Sequence, residues 1–483
     1  MKISISCPPI ESPKGVPLLS QNRQFQWFSQ PTYIYPIIPA YAATLLKEHG
    51  HQVSWDDGIA EELTLPQYME RITREEPDLI VIETKTPVVK THWKIIDAIK
   101  QRMPRTKVVL IGDHVTALPQ ESFEESKVDY ILTGGDYDFL LLNLCHHLSG
   151  GEELEPGIWY RENEAIKSSG KFELSHDLNS LPFIDRELTK WWLYSEKNGN
   201  YKNLPGTYTM VGRDCWWHKC TFCSWTTLYN KFRTRKPESL LDEIGVLIDR
   251  YKIRSVFDDT GTFPIGKWLT SFCHGMIDRG YNQKVEIGCN MRFGAIDQEG
   301  YNLMKKAGFR YLLFGLESAN QETLNRINKG VKVNDAVEGC LMAKRAGLDP
   351  HLTIMVGYPW ETKEDITATI ELAKDLFKQG CADTLQATIS TPYPGTPLFR
   401  YCQENDLLVT QDWDDYDMRK AVTKTTVTDK DIKEASQQLY RAFFTPRYAL
   451  RKLLSIRNVN DFRYILRGIR AIFGHLSDFK PGG

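Results

Sequence analysis

Short runs of apolar, often β-branched residues alternate with longer segments of helical periodicity through the first third of the chain. This alternation predicts a parallel, doubly wound sheet, in which each helix crosses back to begin the next strand. The predicted elements are, in order, Lys2–Cys7, Pro39–His49, Gln52–Trp55, Leu65–Arg74, Asp78–Glu83, His92–Arg102, Lys107–Gly112, Tyr130–Thr133 and Tyr137–His147. We therefore expect a Rossmann-like α/β domain over residues 1–150.

Ligands of doubly wound sheets bind outside the carboxyl ends of the strands. In this chain those ends lead into five loops, at residues 7–9, 56–58, 83–87, 112–114 and 134–136. The candidate binding residues on these loops are Pro8, Pro9, Asp56, Thr84, Gly112, His114, Gly134 and Gly135. We expect this edge of the first domain to be a binding surface.

The periodic pattern weakens between residues 151 and 203 into a polar stretch with glycine and proline, which we interpret as a linker. A second alternating series follows, with predicted strands at Thr207–Val211, Ser255–Asp259, Val285–Cys289, Tyr311–Glu317, His351–Gly357 and Thr384–Ser390. Six strand-helix units over residues 204–400 predict a partial (β/α)6 barrel. Residues 401–483 are predicted to form a C-terminal helical region.

The charge balance argues against a general attraction to nucleic acid. Sixty Lys and Arg residues oppose 62 Asp and Glu residues, which gives a formal net charge of −2, whereas nucleic-acid-binding domains are usually basic. The most apolar run, Tyr33–Leu46, is too short to span a bilayer and contains Pro36 and Pro39. We therefore expect a cytoplasmic protein with no nucleic-acid partner.

Three of the ten cysteines, Cys215, Cys220 and Cys223, follow the first predicted barrel strand on one short loop. The other seven are scattered, as buried thiols usually are. A closed zinc site needs four ligands, so zinc would require His218 or a distant residue here. A four-iron cluster held by three cysteines instead leaves one iron open for a ligand. The pattern favours such a cluster and indicates catalysis.

Besides the cysteine motif Cys220-Thr221-Phe222-Cys223, several sequence motifs occur further along the chain. They are Phe257-Asp258-Asp259, Asn290-Met291-Arg292, Phe314-Gly315-Leu316-Glu317-Ser318, and the segments 355–362 and 391–397. In order and spacing they resemble the strand-end motifs of the radical S-adenosylmethionine (SAM) superfamily, in the branch with an N-terminal cobalamin-binding domain. That branch includes the hopanoid methylases and the anaerobic magnesium-protoporphyrin cyclases. The resemblance covers nearly the whole chain.

The resemblance implies that Cys215, Cys220 and Cys223 hold a [4Fe-4S] cluster whose open iron chelates SAM. It also implies a set of SAM-binding residues. Within this set Arg292 would pair with the SAM carboxylate, and Asp258 or Asp259 would receive its ammonium group. Contacts to the rest of SAM would come from Phe222, Glu317, Ser318 and Gly357.

Two features depart from the family pattern. Four residues separate Cys215 from Cys220, where the family has three, and the usual Gly-Gly-Glu sequence is absent near Asp258. We interpret the extra residue as a bulge that still presents three thiolates. The alternative is a displaced first cysteine, which would make the enzyme degenerate.

The resemblance also implies that the candidate loops of the first domain bind cobalamin. Many cobalamin domains donate a histidine to cobalt from an Asp-x-His-x-x-Gly motif, but Gly58 occupies that histidine position here. His114 follows a later strand, and we interpret it as a surface or loop residue. We therefore expect cobalamin without a histidine ligand, with an empty cobalamin fold as the alternative.

The chemistry implied is methylation of an unactivated carbon through a 5′-deoxyadenosyl radical and methylcobalamin. One alternative is a radical SAM enzyme that forms a ring, couples carbons or oxidises its substrate, with an empty first domain. Another is a nonenzymatic cobalamin sensor or metal-binding module. The expected partners are a small-molecule substrate, such as a lipid or tetrapyrrole, and a low-potential electron donor such as flavodoxin or ferredoxin.

The end of the chain is strongly basic. Between residues 441 and 471 a single acid, Asp461, faces eight basic residues: Arg441, Arg447, Arg451, Lys452, Arg457, Arg463, Arg467 and Arg470. Apolar residues recur among them at helical spacing, a composition that is typical of peripheral membrane helices. Two interpretations stay open, a domain-closing helical pair with solvated arginines and a segment that contacts a membrane.

Overall fold

The structure is a computed structural model that describes residues 1–18, 25–29, 31–442 and 445–478. Within the last helix, the side chains of residues 471, 473 and 475–478 lie outside the described part. The described chain contains two large sheets, each with its own helices, and a C-terminal group of helices.

The first sheet has seven strands in the order β4-β1-β5-β6-β7-β8-β9. The first five run parallel, and β8 and β9 are antiparallel at one edge. A separate short hairpin joins β2 to β3. The strands are β1 Lys2–Cys7, β2 Val16–Pro17, β3 Trp27–Phe28, β4 Gln52–Asp57, β5 Leu79–Glu83, β6 Lys107–Ile111, β7 Tyr130–Leu132, β8 Ile158–Glu162 and β9 Ala165–Ser168.

Six helices accompany this sheet and confirm the predicted Rossmann-like, doubly wound domain. They are α1 Ile37–Glu48, α2 Leu65–Glu75, α3 Val89–Arg102, α4 Asp113–Ala117, α5 Pro119–Glu125 and α6 Tyr137–Gly150. Strand β5 is buried along its whole length, as expected for a central strand of a parallel sheet covered on both faces.

The segment predicted as a linker, residues 151–203, is instead part of the folded body. It supplies β8 and β9, and its apolar side chains Leu178, Tyr194 and Tyr201 are buried in the core of the first domain. The sequence of this segment is polar and contains glycine because β8 and β9 form a short hairpin at the sheet edge. The apolar alternation of a buried strand is therefore missing, and the segment reads as a linker. Of the nine residues in these two strands, Ile158 alone is buried.

The second sheet has six parallel strands in sequential order and forms a half-barrel, which confirms the predicted partial barrel. Its strands are β10 Gly206–Thr209, β13 Ser255–Asp258, β14 Glu286–Met291, β15 Phe309–Glu317, β16 Asp349–Val356 and β17 Thr384–Ile389. A small antiparallel pair, β11 Gly212–Arg213 and β12 Arg233–Thr234, follows the first of these strands.

The helices of the half-barrel alternate with its strands. They are α7 Trp225–Leu228, α8 Pro237–Asp249, α9 Lys267–Asp278, α10 Gln298–Lys306, α11 Gln321–Arg326, α12 Val333–Arg345 and α13 Lys363–Gln379. Helix α13 shows why they begin and end where they do. Thr362 Oγ1 accepts from the Asp365 backbone N–H at 3.2 Å while Asp365 accepts from the Thr362 N–H at 2.9 Å, and Gly380 ends the helix at φ 80°.

The C-terminal region contains four helices, α14 Pro397–Glu404, α15 Asp429–Arg441, α16 Pro446–Leu454 and α17 Val459–Asp478. Helix α15 packs on β17, and α17 packs on α15 and on β3. Residues 405–424 are mostly irregular, and we refer to them as the strap. Among the described helices, none combines the length and apolarity needed to cross a bilayer.

Candidate active site

The three clustered cysteines lie on a loop whose base is closed by the β11–β12 pair. The chain turns at Asp214 and His218, whose φ angles of 76° and 49° are left-handed, and the His218 ring contacts the Asp214 carboxylate. His218 is one of the four residues between Cys215 and Cys220. The left-handed turn at His218 and its contact with Asp214 give the backbone a defined conformation across the four-residue gap. The interpretation of the gap as a bulge stays a prediction.

Contacts with the barrel anchor this loop. Thr221 donates its N–H to Ile327 O at 3.0 Å, and Thr221 O accepts from the Leu398 N–H at 2.9 Å. Cys215 Sγ lies 2.9 Å from Thr262 Oγ1, in the loop that follows β13. The loop is therefore fixed at both its middle and its first cysteine.

All three thiols face one cavity of about 1260 Å³ inside the half-barrel. Burial raises the pKa of the Cys220 thiol, while the neighbouring Lys329 and Arg292 cations act in the opposite direction. Across the described part of the chain, no three Cys, His, Asp or Glu side chains adopt the geometry of a single-ion site. A four-iron cluster does not require that geometry, because each thiolate binds a different iron. The thiols therefore suit the predicted cluster.

Four of the seven predicted SAM-binding residues line the same cavity, namely Phe222, Asp259, Arg292 and Glu317. The Arg292 guanidinium lies over the Trp217 ring at 4.5 Å and donates to Lys329 O at 2.5 Å. Phe222, between two of the cysteines, packs against the barrel core. The barrel thus brings a cation, two carboxylates and an aromatic ring to the wall that carries the thiols.

Glu317 ends β15 in a left-handed conformation, at φ 62°. Its carboxylate forms a buried ion pair with Lys329, with Nζ 2.7 Å from Oε1. We did not predict Lys329 from the sequence, because it lies in the turn between α11 and α12 and belongs to no recognised motif. It also approaches the Phe222 ring at 5.9 Å.

The other three predicted SAM-binding residues do not line the cavity, and their contacts with SAM stay predictions. Asp258, at the end of β13, accepts hydrogen bonds from Thr209 Oγ1 at the end of β10, at 2.9 Å, and from the Val211 N–H just after that strand, at 3.0 Å. Ser318 is fully buried and accepts from the Asn320 N–H at 3.1 Å. Gly357 has a φ of 87°, and a Cβ atom there would meet Ile432.

The eight predicted cobalamin residues come together at the carboxyl edge of the first sheet, but none lines the cavity. Thr84 is 0% exposed and donates to or accepts from His92 Nδ1 at 2.8 Å. His114 is 1% exposed rather than at the surface, and its ring nitrogens lie 3.2 Å from Thr86 Oγ1 and 3.1 Å from Glu121 Oε2. Both nitrogens of His114 are therefore engaged within the protein.

The chain's own residues cover this edge. The strap places the Trp413 ring 5.3 Å from the His114 ring, and Trp413 Nε1 donates to Glu121 at 2.8 Å. A Cβ atom on Gly134 would meet the Phe172 ring, and one on Gly135 would meet the Tyr229 ring. Side chains of the strap and of neighbouring loops therefore pack against the predicted cobalamin loops in this structure.

Taken together, fold and site define an enzyme class: a half-barrel with three cysteine thiols at its cavity, joined to a doubly wound domain. Residues 210–373 match the model of the radical SAM superfamily, and residues 30–139 match that of the B12 binding domain. The chain is 30% identical over 404 residues to the bacteriochlorophyllide d C-8(2)-methyltransferase of Chlorobaculum tepidum, covering 76% of this chain and 80% of that protein. The chain belongs to the radical SAM superfamily, in the branch with a B12-binding domain.

Two further relatives align along most of the chain. An uncharacterized methyltransferase of Pyrococcus horikoshii is 28% identical over 443 residues, which cover 90% of this chain and 93% of the relative. The anaerobic magnesium-protoporphyrin IX monomethyl ester cyclase of Cereibacter sphaeroides is 25% identical over 93% of this chain and 72% of its own length. The predicted family membership and enzyme class are confirmed, and with them the family's cofactors: a [4Fe-4S] cluster, SAM and cobalamin.

A solved structure shows the same fold. The radical SAM methyltransferase TsrM from Kitasatospora setae, with cobalamin and a [4Fe-4S] cluster bound, matches with a TM-score of 0.68 over 99% of both chains, at 13% identity. The arrangement of a doubly wound domain followed by a half-barrel is therefore shared over the full described length.

Proposed function

We propose that this enzyme uses SAM to methylate an unactivated carbon atom of a small organic substrate. One observation carries the proposal: the three cysteine thiols open onto the same cavity as Asp259, Arg292 and Glu317. Ligand cavities usually measure about 300–1,000 Å³. At about 1260 Å³ this cavity has room for SAM and a substrate together.

In this proposal the residues of the cavity wall bind and orient SAM. The Arg292 guanidinium, stacked on Trp217, offers its remaining donors to the SAM carboxylate. Asp259 lines the cavity and is the acid that would contact the SAM ammonium group, whereas Asp258 is engaged between strands. Lys329 positions the Glu317 carboxylate. When bound, the cluster supplies the electron that cleaves SAM, which is the source of the radical and, in the methyltransferases of this branch, of the methyl group.

Apolar side chains on the cavity wall favour a substrate with a large apolar body, as in a lipid or a tetrapyrrole. Tyr311, Leu313, Met355, Leu385 and Tyr440 contribute this surface. We place the reaction in the cytoplasm, with a low-potential flavodoxin or ferredoxin as the electron donor.

The packing at the edge of the first sheet favours a second candidate function. Thr84 and His114 are buried there and the Trp413 ring lies 5.3 Å from that of His114, so in this alternative the first domain would be empty and the enzyme would act without a corrin. The product would then be a ring, a carbon–carbon bond or an oxidised substrate. The 25% identical magnesium-protoporphyrin cyclase is a relative whose name indicates ring formation.

A labelling experiment tests both candidates. The protein is reconstituted anaerobically with iron, sulfide and cobalamin, reduced, and incubated with methyl-labelled SAM and candidate extracts, and its products are analysed by mass spectrometry. We expect a product that carries the label with the parent protein and with Cys402→Ala, which removes a buried thiol outside the loop. Cys220→Ala should give none. An unlabelled product accompanied by SAM cleavage would replace methylation with the second candidate.

A further inference from the structure

Helices α16 and α17 and their connection, residues 446–478, carry an exposed apolar face. We refer to these residues as the C-terminal helix pair. Large apolar side chains that are 39% to 75% exposed recur along it: Leu450, Leu453, Leu454, Val459, Phe462, Leu466 and Ile469. The rest of the described chain has five such residues, and they are scattered. A contiguous apolar surface of this kind marks an interaction site.

The same helices expose unpaired positive charge. Arg447, Arg457, Arg463 and Arg470 are exposed, and none has an ion-pair partner in the described ranges of the chain. Of the two acids in the pair, Asp461 is buried and lies 2.8 Å from Lys202, whereas the side chain of Asp478, at the end of α17, lies outside the described part. Among the described side chains of the pair, the exposed face therefore combines apolar residues and arginines without a carboxylate.

Other basic residues of this region hold the pair on the two α/β domains. Lys452 lies 2.8 Å from Asp383, and Arg467 donates to Tyr201 O at 2.8 Å. The pair is thus fixed on one side and unpartnered on the other. The structure thus separates the basic residues that contact the protein from those that face solvent, a distinction that the sequence alone does not make.

The cavity that holds the cysteine thiols opens at this face. Leu453, Ile469 and Arg470 line the cavity and are themselves exposed, so the cavity reaches the surface between them. Tyr464 and Ile465 of α17 line it further inside. The opening to the candidate active site is therefore framed by exposed apolar and basic residues.

We propose that the C-terminal helix pair docks on an anionic membrane surface and admits an amphiphilic substrate from that surface into the cavity. Exposed leucines and Phe462 would enter the boundary between headgroups and acyl chains, and the arginines would bind lipid phosphates. The four exposed arginines, with no exposed carboxylate among the described side chains of the pair, match an anionic surface and disfavour a second copy of the same basic face. Docking is independent of the proposed function, whereas delivery of substrate rests on it.

Sedimentation of the full-length protein with lipid vesicles tests the docking. We expect binding to vesicles that contain phosphatidylglycerol, much weaker binding to phosphatidylcholine alone, and partial release at high salt because screening weakens the arginine contacts. Two double variants should lower the bound-to-free ratio by roughly ten-fold: Leu454→Ser with Phe462→Ser, and Arg457→Gln with Arg463→Gln. None of these four residues lines the cavity.

Matched controls change exposed residues of the same chemical kind elsewhere in the protein. Val246→Ser with Val409→Ser, and Arg102→Gln with Arg105→Gln, should bind vesicles as the parent does. The proposal is overturned if the parent stays in the supernatant with anionic vesicles at low salt. It is also overturned if the helix-pair variants bind like the controls, or if sedimentation equilibrium shows a dimer that Leu454→Ser with Phe462→Ser dissociates. Because vesicle binding needs no SAM cleavage, a failure here is distinguishable from a failure of the proposed function.

Discussion

At the scale of single residues, we expect Glu361 to make the stability of the barrel depend on pH. Its side chain is fully buried, and Oε2 accepts from the backbone N–H groups of Gly357 at 2.8 Å and Tyr358 at 3.1 Å. Burial raises the pKa of this carboxyl to about 7, from an ordinary value of 4.5. Between these two pH values the folded state keeps a proton that the unfolded chain has lost.

The sign of the effect follows from this proton. The folded state binds more protons, so the contribution of Glu361 to stability is full below pH 4.5 and is lost as pH rises toward 7, a change of roughly 3 kcal/mol. Glu361→Gln keeps the acceptor oxygen and removes the titration. We therefore expect the Tm of the variant, relative to that of the parent, to rise between pH 5 and pH 7.5.

Thermal unfolding of the apoprotein at several pH values measures this difference. Glu364→Gln, on the exposed first turn of α13, is the matched control and should give a Tm offset that does not depend on pH. A constant offset for Glu361→Gln as well would show that Glu361 is ionised throughout the range.

The sequence predicted some site residues and missed others for identifiable reasons. The thiols, Arg292 and Glu317 follow strands whose carboxyl ends meet in a parallel barrel, so their convergence could be predicted. Ser318 lies beside Glu317 in the chain, but the left-handed turn at Glu317 sends it into the loop interior. Lys329 reaches the site from a turn between helices, and no strand periodicity points to it.

At the scale of elements, the strap packs against the carboxyl edge of the first sheet. Its two ends pair through the Val409 N–H, which donates to Val422 O at 3.0 Å. Ion pairs with Lys90 and Lys14 of the first domain hold its middle. The strap contains little periodic sequence, so its position over the sheet edge could not be predicted, whereas the regular strands beneath it could.

We expect Trp413→Ala to speed the uptake of cobalamin. The variant loses the hydrogen bond to Glu121 and the ring contact with His114, and both oppose opening of the edge. Anaerobic incubation with hydroxocobalamin, followed by desalting and measurement of bound corrin over time, tests the prediction. Trp192→Ala, an exposed tryptophan elsewhere, should take up corrin at the rate of the parent. Equal rates for all three proteins would show that the strap does not block the edge.

At the scale of the whole molecule, buried charges tie the two α/β domains together. Arg213, at the base of the cysteine loop, donates to Asp136 and to Asp138 Oδ1 at 2.8 Å each, and both acids belong to the first domain. Arg233 adds a second link to Asp136 at 2.7 Å. A buried pair of this kind is costly to break once formed. The cysteine loop is therefore oriented against the first domain as well as within the barrel.

We expect Cys215, Cys220 and Cys223 together to hold a cluster that cleaves SAM, despite the four-residue gap after Cys215. The most direct measurement is the iron content of the anaerobically reconstituted protein, with 5′-deoxyadenosine formation from SAM under dithionite, for the parent and the three Cys→Ala variants. We predict about four irons per chain and SAM cleavage for the parent, and loss of both in each variant. A Cys215→Ala protein that keeps its iron and still cleaves SAM would contradict the account.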